Sequence, residues 1–242
     1  MKNITMDVGH NIKTRNGVWT FGNDKVVDNF VNHVSSSVPL YEQGHSLVCD
    51  ISEYFIRPNS VHYEIGSSTG ELTRKIAERH AHKDNAKIIG VEIEDLMIKK
   101  AREHCSGFKN ISFEESDVLD YVFQPTDFIV SYYCIQFTQL SIRQLIIDKI
   151  YKSLNWGGAF LLFEKVRAPD ARFQDISNSW YNSYKLEKGF TAESILAKTN
   201  SLKTILEPFS TQGNIDMLKR AGFSDINSVF KFMCFQGFLA IK

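Results

Sequence analysis

The hydrophobic positions change period along the chain, and the changes mark its elements. From about Asp24 to Val34, the residues Val26, Val27, Phe30, Val31 and Val34 recur at three- and four-residue steps, the spacing of a helix with one buried face. A second helix is expected from about Glu42 to Phe55, with Leu47, Val48, Ile51, Tyr54 and Phe55 inward and Pro58 as its stop. From Val61 short apolar runs alternate with helical stretches. Strands are expected at Val61–Ile65, Lys87–Ile93, Ile111–Phe113, Phe128–Val130 and Ala159–Val166. Helices are expected at Glu71–His82, Asp95–His104 and Ser141–Leu154, the last with Ile142, Leu145, Ile146, Ile150 and Leu154 buried and Asn155–Gly158 as its end. Residues 168–208 break the alternation and are helical in character, with an aromatic cluster at Trp180–Tyr184. A last helix, Ile215–Ala221, is capped by Gly222, and the strands Asp225–Phe232 and Cys234–Ile241 lie close enough to pair as a hairpin. The first 20 residues are polar and loop-like, apart from the aromatic patch Val18–Phe21.

This order predicts an α/β fold, a parallel sheet with helices on both faces and an antiparallel hairpin at its end. A length of 242 residues suits one domain. Residues 1–57 would form an N-terminal arm and helices, and 168–208 a helical lid insertion. Lys plus Arg and Asp plus Glu each number 28, so there is no basic excess for tracking a phosphate backbone. A small molecule is the expected partner and nucleic acid is not; a homodimer is left open. No apolar signal core and no membrane-length apolar run is present, so the expected location is cytoplasmic. Cys49, Cys105, Cys134 and Cys234 are scattered and read as free thiols, and no metal is expected.

The chemistry concentrates where the first strand meets its helix, at Glu64-Ile65-Gly66-Ser67-Ser68-Thr69-Gly70. Gly66 permits a tight turn and close approach of a ligand, and Gly70 permits close packing at the helix start. Unpaired N–H groups there suit a carboxylate, and Glu64 suits an ammonium. The second strand ends in Glu92, 22 residues beyond Gly70, where an acid can accept from a ribose diol. Asp117, past the third strand, can accept from an adenine amino group. Three such features at three successive strand ends point to an adenosyl ligand carrying an amino acid. A dinucleotide fingerprint would need G-x-G-x-x-G, but Ser68 and Glu71 stand at its second and third glycines.

These residues resemble the carboxy-S-adenosylmethionine synthases, a branch of the class I S-adenosylmethionine-dependent methyltransferase family, from Trp19 to the C-terminus. The stretches that carry the resemblance include Trp19-Thr20-Phe21, Ser37-Val38-Pro39-x-Tyr41, Gly66-x-Ser68-x-Gly70, Gln136-Phe137, Leu154-Asn155-x-Gly157-Gly158, Glu164-Lys165 and Ala221-Gly222-Phe223. The resemblance implies a class I methyltransferase fold and S-adenosylmethionine as cofactor. It also implies cofactor contacts at Tyr41, Gly66, Ser67, Ser68, Glu92, Ile93, Asp117, Val118 and position 132. Glu92 stands for the family's usual aspartate, and two departures matter more: Tyr132 stands for its asparagine, and Thr199 for the arginine that holds the extra carboxylate. A neutral threonine cannot pair a carboxylate as a guanidinium does. Carboxy-S-adenosylmethionine synthesis from prephenate is therefore not expected.

Methyl transfer to a small molecule is the leading expectation. The alternative is a reaction on the cofactor itself, such as cyclisation releasing methylthioadenosine. In-line methyl transfer mainly needs alignment and exclusion of water, so a base is optional. Tyr132 and Tyr181 are the candidate catalytic residues. Trp19, Phe21, Tyr133, Glu164, Trp180 and Tyr184 are candidates for the substrate pocket and lid, their aromatic faces suiting a sulfonium. The segments around Trp19–Phe21 and Trp180–Tyr184 are expected to close over the ligand. His33, His45 and His62 read as structural.

Overall fold

The computed structural model describes residues 5–10, 12–15 and 18–242. Helices α1 (Asp24–Ser37) and α2 (Tyr41–Ser52) lead into an alternating region. It runs β3 (Val61–Ile65), α3 (Glu71–Arg79), β4 (Lys87–Glu92), α4 (Asp95–His104), β5 (Ile111–Glu115), β6 (Thr126–Tyr132), α5 (Leu140–Ser153) and β7 (Leu154–Lys165). Two helices, α6 (Ala171–Glu187) and α7 (Ala192–Ser201), then interrupt the alternation. Helix α8 (Thr211–Ala221) and the hairpin β8 (Asp225–Phe232) and β9 (Phe235–Ile241) close the chain.

The seven strands β3–β9 form one sheet in the order β5-β4-β3-β6-β7-β9-β8. The first five pair in parallel, and β9 runs antiparallel between β7 and β8. The order reverses between β3 and β6, so the loops after these two strands diverge and leave a crevice at their carboxyl ends, where open α/β sheets bind ligands. Two apolar layers hold the frame. Ile76, Ile88, Phe128, Leu161 and Phe163 pack on one face; Ile65, Ile129, Ile146, Phe160 and Phe238 pack on the other.

The expected strands and helices are present, with four differences. Residues 1–20 are not merely a loop: β1 (Thr5–Asp7) and β2 (Lys13–Arg15) pair as a short hairpin too brief to show alternation. Helix α2 ends at Ser52 rather than Phe55, and Tyr54 is exposed. Strand β7 starts at Leu154, so Asn155–Gly158 belong to the strand, beside a register shift opposite Thr126–Phe128. Helix α5 buries Ile146 and Ile150 as expected, but Leu145 is 55% exposed, and Arg143 and Ile147 are buried instead. A long cation on that face defeats a reading made from apolar residues alone.

Candidate active site

A cavity of about 1070 Å³ lies over the carboxyl ends of β3, β4, β5, β6 and β7. Its far wall comes from α1, α7 and residues 202–208. The loop after β3 is wound by left-handed backbone at Gly66 (φ 72°), Ser68 (φ 49°) and Gly70 (φ 83°). A Cβ on Gly66 would run into Cys134, so the glycine is what lets the β3 and β6 ends approach. At Gly70 a Cβ would fall 3.0 Å from Phe113 and 3.2 Å from Ala101, the close helix packing expected of it. The buried hydroxyls of Ser67 and Thr69 line the cavity with no partner among the described residues.

Three acids form one side. Glu64 is buried at the end of β3 and accepts from the Thr73 hydroxyl, and burial pushes its carboxyl up to about 8. Glu92 ends β4 and accepts from the N–H groups of Ser68 (2.8 Å), Ile93 (2.9 Å) and Glu94 (3.1 Å). Burial raises its carboxyl too, and those three donors oppose the shift. Asp117 follows β5 and accepts from Leu119 N–H at 2.8 Å.

Aromatic residues form the next sector. Tyr41 starts α2 because Leu40 turns the chain at φ 56°. Tyr132, at the end of β6, packs edge-on to Tyr41 with ring centroids 5.4 Å apart. The Tyr132 hydroxyl donates to the Tyr41 carbonyl at 2.8 Å and fills the notch left by Gly44. Tyr133 is buried in left-handed backbone (φ 59°), and its hydroxyl has no partner among the described residues. The Tyr181 hydroxyl donates to the Ser37 carbonyl at 2.7 Å, tying α6 to α1.

Of the candidate residues, Trp19, Phe21, Tyr41, Glu64, Gly66, Ser67, Ser68, Glu92, Ile93, Asp117, Tyr132, Tyr133 and Tyr181 line this one cavity. Five lie outside its wall. Gly70 and Val118 pack behind the loops. Glu164 is buried beneath the floor, where it accepts from Gln136 N–H at 3.2 Å. Trp180 is 52% exposed and rests near Phe232 of the edge strand, and Tyr184 stacks behind Tyr181. The expected lid contact therefore comes from Tyr181 and Lys185 and not from Trp180, because only that side of α6 turns inward.

The catalytic reading of Tyr132 and Tyr181 changes in kind. Each hydroxyl donates to a backbone carbonyl, and burial raises both phenols far above their ordinary range. They offer ring faces rather than a proton acceptor. Tyr181→Phe is expected to keep turnover within about fivefold of the native rate and to lose about 1 kcal/mol of stability, the usual worth of one such bond. Steady-state rates alongside urea unfolding check this; a drop of about a hundredfold with unchanged stability would restore an acid–base role.

Three site residues escaped the sequence reading. His33 sits on the cavity wall, stacked on Trp19 at 5.7 Å, with neither ring nitrogen hydrogen-bonded among the described residues. Burial and the nearby Lys198 hold it down at about 3, so it is neutral. Gln136 lines the floor and receives Lys165 N–H at 2.8 Å. Arg143 reaches from α5 to the carbonyls of Gln136 (2.8 Å), Thr138 (3.0 Å) and Glu207 (2.6 Å), joining two segments of the wall. An arginine among isoleucines on a helix face was the available signal.

Comparisons with known proteins place the chain in a family and support the fold. The methyltransferase domain family matches residues 63–158. Over 224 residues the chain is 36% identical to a carboxy-S-adenosyl-L-methionine synthase of Staphylococcus epidermidis, covering 93% of this chain and 97% of the relative. A synthase of the same name from Nautilia profundicola is 33% identical, with 90% and 93% covered. Among solved structures, an O-methyltransferase family protein of Burkholderia thailandensis superposes with a TM-score of 0.64 at 15% identity, over 92% of this chain and 61% of that one. Human N-acetylserotonin methyltransferase in complex with S-adenosylmethionine gives 0.62 at 16% identity, over 90% and 55%. At such identities the two structures speak for the fold.

Proposed function

The chain belongs to the carboxy-S-adenosyl-L-methionine synthase family, and from that footing we propose that its cavity binds S-adenosylmethionine and directs methyl transfer to a small-molecule acceptor. The observation that carries the cofactor half is the set of acids at three successive strand ends, beside the orphaned hydroxyls of Ser67 and Thr69. Glu64 would take the ammonium, Glu92 a ribose hydroxyl and Asp117 the adenine amino group. Gly66 and the two free hydroxyls would receive the amino-acid end. S-adenosylmethionine supplies a methyl group already activated on a sulfonium. The protein's part is alignment and the exclusion of water. The faces of Tyr41, Tyr132 and Tyr133 suit a cation, at about 0.5–2 kcal/mol per contact. With the hydroxyls of Tyr132 and Tyr181 spent on carbonyls, neither is assigned as a base. The acceptor is a small molecule, in keeping with the even charge balance, and the cytoplasm is the proposed location. No helix among the described residues is long and apolar enough to cross a membrane.

One observation favours a second reading, synthesis of carboxy-S-adenosylmethionine: the relatives bear that name over nearly their whole length. Against it stands Thr199, on the cavity wall where the family resemblance implies an arginine. Its hydroxyl donates to the Ile195 carbonyl of its own helix at 2.8 Å. Mass spectrometry of products separates the readings. With methyl-labelled S-adenosylmethionine and a cell extract, label should leave the cofactor and S-adenosylhomocysteine should accumulate. Methylthioadenosine as the main product, or carboxy-S-adenosylmethionine when prephenate is added, would overturn methyl transfer.

A further inference from the structure

Glu92 has little acceptor capacity left. Its Oε1 accepts from the N–H groups of Ile93 (2.9 Å) and Glu94 (3.1 Å), and its Oε2 accepts from Ser68 N–H at 2.8 Å. A carboxylate oxygen offers two lone pairs. Oε1 is therefore full, and Oε2 can take one more donor. A ribose carries two neighbouring hydroxyls, and each is a donor that burial leaves in want of an acceptor. Glu92 satisfies one of them.

The next acid on the same turn is Glu94. It lines the cavity beside Glu92 and Ile93. Glu94 is the N-cap of α4, yet its side chain accepts from none of the first N–H groups of that helix, the usual employment of a polar residue there. Its carboxylate makes no hydrogen bond and no ion pair among the described residues. Glu92 holds the Glu94 N–H, so one turn fixes both acids. The two carboxylates are near enough for the charge of Glu94 to help raise Glu92, and burial raises Glu94 itself. Gly22 of the N-terminal arm keeps room for this side chain: a Cβ there would lie 2.6 Å from Glu94 Oε2. A half-buried carboxylate beside a like charge, with no donor of its own, is a costly arrangement that a ligand's hydroxyl would relieve. The same cavity is lined by the buried, unpartnered hydroxyls of Ser67 and Thr69, which independently mark it as a ligand site.

We propose that Glu94 is a second ribose acceptor and a specificity-determining residue: Glu92 Oε2 holds one hydroxyl of the ligand's ribose, and the Glu94 carboxylate holds the other. The proposal rests on the S-adenosylmethionine reading of the cavity and deepens it. It does not depend on which group of that cofactor reacts. Two acidic acceptors on one diol require both hydroxyls to be present and free. A deoxyribose loses a charge-assisted bond, and a phosphate on the ribose meets two like charges.

Calorimetry with S-adenosylhomocysteine and its 2′-deoxy and 3′-deoxy analogues, against the parent, Glu94→Ala and Glu94→Gln, tests the assignment. In the parent, loss of either hydroxyl should weaken binding by about tenfold or more, as loss of a bond to a charged group requires. Glu94→Ala should bind the complete ligand about tenfold more weakly than the parent does. In that variant one deoxy analogue should bind within about twofold of the complete ligand, because the bond it lacks is already gone, while the other still loses about tenfold. The insensitive analogue identifies the hydroxyl that Glu94 holds. Glu94→Gln keeps a neutral acceptor oxygen and should fall between alanine and the parent. The thermal melt of Glu94→Ala without ligand should match the parent's, since the carboxylate ties nothing down there, so lost affinity is not lost fold. Complete-ligand affinity in Glu94→Ala within about twofold of the parent's would overturn the assignment. So would equal losses for the two deoxy analogues in parent and variant alike, the mark of a general charge or packing effect. No S-adenosylhomocysteine binding by the parent would overturn the cofactor reading, and the assignment with it.

Discussion

Glu92→Ala is expected to weaken S-adenosylhomocysteine binding by about 2–4 kcal/mol, at least about thirtyfold. The native carboxylate has two tasks. It accepts three backbone N–H groups, from Ser68 on the β3 loop and from Ile93 and Glu94 after β4. Oε1 already accepts from both Ile93 and Glu94, so Oε2, which accepts only from Ser68, is the oxygen left to receive a ribose hydroxyl. Truncation to alanine leaves the three donors in a mostly buried position, where each lost bond to a charged acceptor costs about 1.5–3 kcal/mol before relaxation. The Ser68 turn would then lose the contact that ties it to β4. Glu92→Gln keeps one acceptor oxygen and should fall between alanine and the parent. Calorimetry on the three proteins gives the answer. Unchanged affinity in Glu92→Ala would place the ribose elsewhere.

Arg143→Met, just behind the cavity wall, is expected to be strongly destabilising, at about 3–5 kcal/mol, since it strips a buried charged donor from several carbonyls. Arg143 is 2% exposed and bonds three carbonyls that belong to two separate chain segments. Methionine fills the volume of the side-chain stem and leaves the Thr138 and Glu207 carbonyls without a side-chain donor, with Gln136 keeping only its bond from Glu207 N–H at 3.4 Å. At about 2–4 °C per kcal/mol for a domain of this size, the melting temperature should fall by roughly 6–20 °C. Residues 204–208 should also lose their hold on the turn at Gln136–Thr138, so cofactor affinity should drop at temperatures where the fold persists. Arg143→Lys should rescue little, since an ammonium on a flexible stem cannot hold three carbonyls in one plane. Thermal melts and urea unfolding decide this; a shift under about 1 kcal/mol would mean that the carbonyls find other donors.

The sheet and the strand-end residues that line one side of the cavity were legible because their signals are local. Gly66, Glu64 and Glu92 sit at strand ends that the apolar runs themselves mark, and a parallel α/β sheet puts all such ends on one side. The other half was hidden for a physical reason. Lys165, Lys185 and Lys198 are far apart in sequence, and only the fold of α6 and α7 over β7 turns them inward. Trp180 misled in the opposite direction: an aromatic residue on a helix suggests a pocket, but α6 shows mostly solvent-exposed sides. Tyr132 and Tyr181 line the cavity, and that their hydroxyls bond backbone carbonyls could not be read from the sequence, since it does not reveal where a hydroxyl bonds.

Titration of S-adenosylhomocysteine into the protein, by calorimetry in two buffers of different ionisation enthalpy, tests the account at its centre. Burial holds Glu64 at about 8 in the free protein, so near pH 7 it is mostly protonated. An ammonium seated on it favours the carboxylate. Binding should therefore release close to one proton, and affinity should rise from about pH 6 and level off above about pH 8. One site per chain with proton release, and no heat with NAD, is the predicted result. NAD binding with no S-adenosylhomocysteine binding, or S-adenosylhomocysteine binding with proton uptake, would contradict it.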